Sequence, residues 1–287
     1  MLTAVCVSGL ALAVLIVVRW GGRRRLPMPL VVPGAPPTFG TTLRRVLRAI
    51  PIALLAGGFA GMLTAGLGGR LMMRVIAATS GDEAQGRLTE AEEQVGQISL
   101  DGTLGLVVFI GLFGGLLGGI AYLVLRRWLP ASARMAGVIL GILALGLAPG
   151  IDALNPDNVD FEILKPDLLV VAMLVPLFLL YGMTVASLVE RADRSWPLLE
   201  WRPVAVAAHL PLLLLLPAVF ALLVTAVVVL VVILFQHVGP LARFARSPAI
   251  DLGARGLLAV TTVASLAWCG ANVADILDGG GSAALTG

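Results

Sequence analysis

Charged side chains are scarce in this chain. Asp, Glu, Lys and Arg together make up 13% of its 287 residues, while 59% are hydrophobic. Soluble domains carry about 25% charged residues, which argues against any sizeable soluble domain here. Several apolar runs reach about 20 residues, the length that a helix needs to cross a hydrocarbon core of about 30 Å. The sequence therefore predicts an all-α, polytopic transmembrane helical bundle in the cell membrane.

Cysteine and histidine are equally scarce, with two of each. Cys6 and Cys269 fall inside apolar segments, so neither a disulfide framework nor a metal site can be built from them. His209 and His237 lie at the two ends of one long apolar stretch, where an interfacial position is expected rather than a catalytic one. The motifs H-E-x-x-H and G-x-S-x-G, the P-loop and the dinucleotide fingerprint are all missing. We therefore predict no catalytic residue, no metal, no cofactor and no nucleic-acid partner.

Lysine is nearly absent, because arginine supplies 19 of the 20 basic residues. With the bias toward Ala, Gly, Val and Leu, this suggests a GC-rich bacterial genome. Residues 1–19 form a predicted N-terminal transmembrane helix, and residues 20–49 a basic, proline-rich linker without any acid. By the positive-inside rule the linker is cytoplasmic and the N-terminus lies outside. The cluster Arg19–Arg25 is a candidate contact with anionic lipid.

The membrane bundle is predicted over residues 50–277, with short acidic outer loops at 79–102 and 151–167 and a flexible tail at 278–287. Its spans are expected at about Ile50–Leu71, Thr103–Leu125, Met135–Gly150, Leu168–Leu188, Pro211–Phe235 and Gly256–Leu277. The stretch 204–238 is ambiguous: one helix there gives seven spans in total, and two short helices give eight. We favour about seven spans, although that number leaves the arginine-rich loop after the stretch on the outside.

Glycines recur at four-residue steps in spans two to four, at Gly57, Gly61, Gly111, Gly115, Gly119, Gly137 and Gly141. In lipid, small residues at this spacing let helix backbones approach closely. We expect spans two, three and four to form the tightly packed centre. Homodimerisation through the glycines of span three is the alternative.

Arg70 and Arg74 share one helical face at the outer end of span two. Like charges at this spacing repel, so an acidic partner is expected, and Asp152 at the end of span four is the candidate. The alternative is that both arginines bind an anionic ligand.

For function, the leading hypothesis is a non-enzymatic accessory or scaffold subunit with an unknown membrane partner. The first alternative is a binder or carrier of a lipid-like or anionic amphipathic ligand at the outer leaflet. A membrane enzyme ranks last.

Overall fold

The computed structural model of the protein describes residues 39–90, 93–97, 99–197, 203–210, 227, 231 and 247–278. The structure is 80% helical, and its described residues contain no β-strand, which confirms the all-α prediction for this part of the chain. The predicted helix at 1–19 with the Arg19–Arg25 cluster, the linker up to residue 38, nearly all of the stretch 211–235 and the tail from residue 279 lie outside the described residues.

Within the described part of the chain, four helical stretches are long and apolar enough to cross a membrane: Val46–Thr79, Leu100–Leu125, Asp167–Ser195 and Pro248–Leu277. The first two are each interrupted by a π-helical segment, at Met62–Gly68 and at Leu106–Gly114. The α-helices are α1 (Phe39–Gly61), α2 (Gly69–Thr79), α3 (Leu100–Gly105), α4 (Gly115–Leu125), α5 (Ala133–Leu145), α6 (Asp160–Ile163), α7 (Asp167–Ser195), α8 (Pro203–His209) and α9 (Pro248–Leu277).

The predicted span four is shorter than expected. Helix α5 begins after Ser132, whose hydroxyl accepts a hydrogen bond from the backbone of Met135, and it ends at Leu145. Gly146 and Pro149 follow, and the chain turns into a short 3-10 helix instead of continuing. Thirteen residues extend only about 20 Å, so α5 alone does not match the thickness of a hydrocarbon core.

The glycines bring the helices together in two pairs. A Cβ atom added at Gly57 or Gly61 of α1 would overlap the carbonyl oxygen of Gly115 or Gly111 on the facing helix. The glycines of α5 make their close contacts with α7 instead: a Cβ at Gly137 would lie 2.5 Å from the Cα of Met183. The close approaches therefore join spans two and three and, separately, spans four and five.

The direction of α9 differs from the seven-span arrangement. Asp251, in its first turn, lies 2.8 Å from Arg127, which follows α4 at the basic end of the bundle. At the other end of α9, Ile276 packs in one apolar cluster with Ile76 and Leu154, beside the acidic loops. Helix α9 thus runs from the basic end to the acidic end, whereas seven spans require the opposite direction.

Candidate functional site

Four charged side chains from three helices meet at the basic end of the bundle. Arg48 lies in α1, Arg126 directly follows α4, and Glu190 and Asp193 lie in the last turns of α7. Asp193 accepts from both arginines, with 2.6 Å to Nη1 of Arg48 and 2.9 Å to Nη2 of Arg126. This carboxylate therefore joins α1 to the end of α4 through α7.

Arg126 makes a second, two-pronged contact within the same cluster. Its Nε and Nη2 donate to the two carboxylate oxygens of Glu190 over 2.8 and 3.0 Å, and the hydroxyl of Tyr122 also donates to Glu190, over 3.1 Å. Parallel N–H···O bonds between a guanidinium and a carboxylate are the strongest and most directional ion pairs of this kind. The pair fixes the end of α4 against α7.

Arg48 also binds the backbone where α7 ends. Its Nε donates to the carbonyl oxygen of Trp196 over 3.0 Å, and its Nη2 donates to the carbonyl oxygen of Asp193. Both carbonyls belong to the C-terminal end of a helix, where backbone acceptors lack intrahelical donors and the helix dipole favours a cation. One arginine thus satisfies an acidic side chain and the end of its helix together.

The cluster is shielded from solvent, and Arg126 keeps its charge within it. The side chains of Arg126 and Asp193 are 7% and 5% exposed. Burial lowers the pKa of Arg126, but hydrogen bonds and charge from Glu190 and then Asp193 outweigh burial and raise that pKa above its ordinary value. Two cations and two anions leave the cluster neutral. Removing one partner from such a buried set typically costs about 3–5 kcal/mol.

A weaker contact attaches α9 to the same end. Asp251 accepts from Arg127 over 2.8 Å and from the indole nitrogen of Trp128 over 3.2 Å, and the guanidinium of Arg127 lies 5.8 Å from the Trp128 ring centroid. The Arg127 side chain is 46% exposed, so water screens this pair more than the buried cluster.

Our sequence reasoning missed the buried cluster, although the sequence carries a signal for it. Glu190 and Asp193 are two acids at i and i+3, spaced to share one helix face, directly after the predicted span Leu168–Leu188. Acids in that position need cations, and Arg126 ends the neighbouring span.

The two acidic loops meet at the opposite end. The hydroxyl of Ser80 donates to the carbonyl oxygen of Lys165 and accepts from its backbone N–H, both over 3.1 Å. The backbone N–H of Glu90 donates to Asp160 over 2.8 Å. Burial raises the pKa of Asp160, and the Glu90 hydrogen bond partly offsets the rise.

Among the described residues, the ion pair predicted between Arg70, Arg74 and Asp152 at this end is not formed. Arg70 is half-buried and Arg74 is exposed. Within the described residues, no ion pair joins either arginine to Asp152. Asp152 instead adopts a left-handed backbone conformation after the 3-10 helix, and its carboxylate accepts from the side-chain amide of Asn155 over 2.9 Å.

Among the same described residues, no group of three His, Cys, Asp or Glu side chains could hold a metal ion. Comparisons with known protein families, with curated proteins and with solved structures give no match to this chain.

Proposed function

We propose that the protein is a multi-pass membrane protein that acts as a non-enzymatic accessory or scaffold subunit. The observation that carries this proposal is the buried ion cluster of Arg48, Arg126, Glu190 and Asp193. Its four charged groups satisfy one another and the end of α7, so they hold helices together. This is an arrangement suited to maintaining a fixed shape.

Contacts in the middle of the bundle and at its acidic end also support a rigid scaffold. In the middle, glycine contacts set the distance between α1 and α4 and between α5 and α7. At the acidic end, Ser80 and Asp160 connect the two loops. We further propose that close glycine packing is the main determinant of helix spacing in the centre, because packing drives helix association in lipid.

For the membrane arrangement, we propose that the basic end faces the cytoplasm and that the N-terminus and the acidic loops face outward in the cell membrane. The concentration of arginine at the Arg126 end supports this orientation through the positive-inside rule. The direction of α9 favours eight spans over seven, which places the end of α9 at Leu277 on the outer side.

Purification from native membranes tests the scaffold role. We expect affinity-tagged protein, extracted in mild detergent, to carry a partner at fixed stoichiometry in native mass spectrometry. Asp193→Asn, which loosens the cluster, should weaken that association while the variant still elutes as a monodisperse species. Asp167→Asn is the matched control: its partner Lys165 is 53% exposed and the pair lies at the opposite end of the bundle, so the association should persist.

Two results would contradict the proposal. One is a well-folded wild-type protein that leaves its native membrane as a single chain without a partner at fixed ratio. The other is an association that survives Asp193→Asn unchanged even though the variant is measurably less stable.

A further inference from the structure

We propose that Arg70 and Arg74 bind the head group of an anionic phospholipid, whose acyl chain lies along the exposed face of the helix that carries them. The sequence instead predicts an acidic side chain of the protein itself, Asp152, as the partner of these two arginines. This inference is independent of the scaffold role and goes beyond it.

The depth of the two arginines fits a head-group position. Residues 49–69 carry no charge, and Arg48 and Arg70 bound this stretch. Twenty-two residues at 1.5 Å each separate the two arginines by about 33 Å, close to the thickness of a hydrocarbon core. Because Arg48 sits in the ion cluster at one boundary, Arg70 lies near the other, and Arg74 lies one turn farther out.

Arg70 has hydrogen-bonding capacity that the described protein residues leave unused. Its Nε atom is shielded from solvent and has no hydrogen-bond partner among the residues that the structure describes. That shielded N–H carries a cost of about 1–3 kcal/mol. The Arg70 side chain as a whole is only half-buried, so an acceptor from outside the chain can reach the rest of its guanidinium group. Arg74, one turn along the same face, adds an exposed second charge.

Three carboxylates at this end have partners other than the two arginines. Asp160 accepts from the backbone of Glu90, Asp167 pairs with Lys165, and Glu93 accepts from the hydroxyl of Ser99. None of the described ion pairs includes Arg70 or Arg74. The two arginines therefore keep capacity for an added anion.

A phosphate diester suits such a pair. Arginine presents planar, parallel N–H donors that match two phosphate oxygens, which a single-point ammonium group does not. Two arginines one turn apart also favour a lipid that keeps its net negative charge over a zwitterionic lipid, whose own cation repels them.

An apolar track runs from the arginines toward the membrane interior. Large side chains recur every four residues on the outside of this helix and are 39–64% exposed: Leu55, Phe59, Leu63, Leu67 and Leu71. From Leu71 to Phe59 the track is about 18 Å long, comparable to one leaflet of the hydrocarbon core. A lipid held by its head group at Arg70 and Arg74 would place an acyl chain along it.

Native mass spectrometry of the full-length protein tests the site, with phosphatidylglycerol or phosphatidylcholine added to the detergent-solubilised sample. We expect wild-type protein to retain phosphatidylglycerol in clear preference to phosphatidylcholine. Arg70→Ala combined with Arg74→Ala should weaken phosphatidylglycerol binding by about tenfold or more. Arg87→Ala removes an exposed arginine from the loop on the same side and should leave binding unchanged.

Further variants keep the test decisive. Arg74→Ala alone removes an exposed side chain, so it reports on binding even where the double variant fails to fold; it should weaken binding partially. Arg70→Lys with Arg74→Lys should recover charge attraction but not full affinity. The proposal is overturned by equal retention of both lipids in the wild type, by unchanged binding in the alanine variants, by an equal loss in Arg87→Ala, or by a dimer of the chain without lipid.

Discussion

Asp193 connects α7 to two other helical stretches through a single carboxylate. It is 5% exposed and binds arginines from two other helical stretches, so no single neighbour can compensate for its loss. Asp193→Asn keeps the shape of the side chain but removes its charge and leaves two cations facing one anion. We expect a loss of about 3–5 kcal/mol in the free energy of unfolding, measured by thermal denaturation in detergent.

The control for this prediction is Asp167→Asn. The side chains of Lys165 and Asp167 in this pair are 53% and 18% exposed, so the pair is partly screened by water and its removal should cost about 1 kcal/mol. An equal shift in the two variants would mean that the buried cluster contributes no more than a surface pair.

Asp160 provides a pH-dependent contact between the acidic loops. Burial raises its pKa above the ordinary value of 3.8, so the folded state binds a proton more readily than the unfolded state. The stabilising contribution of protonation is full below pH 3.8 and is lost as the pH rises through the raised, folded-state pKa. The ionised carboxylate therefore carries a cost at neutral pH.

Asp160→Asn should remove this pH dependence while its side-chain oxygen still accepts from the backbone of Glu90. We expect the exchange rate of the Glu90 amide hydrogen, corrected for intrinsic exchange, to vary less with pH in the variant than in the wild type. Protection at neutral pH should be equal or higher. A Glu90 amide that becomes fully unprotected in Asp160→Asn would show that the negative charge itself holds the loops together.

At the scale of helices, neighbouring glycines have opposite environments. A Cβ at Gly115 would overlap the carbonyl oxygen of Gly57, whereas a Cβ at Gly114 meets nothing within 4 Å. Gly115→Ala should therefore cost about 1–3 kcal/mol through overpacking, and Gly114→Ala should be close to neutral. Thermal unfolding of the two single variants under identical conditions gives the comparison, and equal stability would argue against close contact between α1 and α4.

The helices themselves were predictable from the sequence, because long apolar runs determine them regardless of partner. Span three, expected at Thr103–Leu125, forms Leu100–Leu125, and span five, expected at Leu168–Leu188, forms Asp167–Ser195. The added residues are mostly polar turns at the helix ends, which the apolar pattern does not include. Span four was predicted to extend too far, because the apolar sequence continues past Leu145 although Gly146 and Pro149 end the helix.

Partnerships between side chains were much less predictable. The four-residue glycine steps indicate that a helix can be approached closely, but they do not specify by which neighbour, and the glycines of α5 meet α7 rather than α1 or α4. Likewise, charge counting places Arg126 at a membrane boundary without showing that Glu190 and Asp193 face it. Asp152 was also predicted as a partner for Arg70, because the charge pattern indicates that both residues lie at the same membrane boundary. That pattern does not indicate where around the bundle each residue lies.

At the scale of the whole molecule, contacts at both ends of α9 define the direction in which this helix crosses the bundle. Its first turn contacts Arg127 and Trp128 at the basic end, and its last turns reach the cluster that contains Ile76 at the acidic end. The sequence alone does not determine the direction of α9, because residues 204–238 have the length of one long helix or of two short ones. Contacts at both ends of α9 give its direction, and this direction is the support for the eight spans proposed above.

Cysteine labelling in intact cells tests the arrangement. In a background with Cys6 and Cys269 replaced by alanine, single cysteines are introduced at Asp82, Arg134 and Asp278, all of which are exposed. A membrane-impermeant maleimide should label the cysteines at 82 and 278 directly, because the outer loop and the end of α9 lie on one side. The cysteine at 134 should react only after permeabilisation, since it follows α4 at the basic end. If the cysteine at 278 instead requires permeabilisation together with that at 134, α9 runs in the opposite direction and the chain has an odd number of spans.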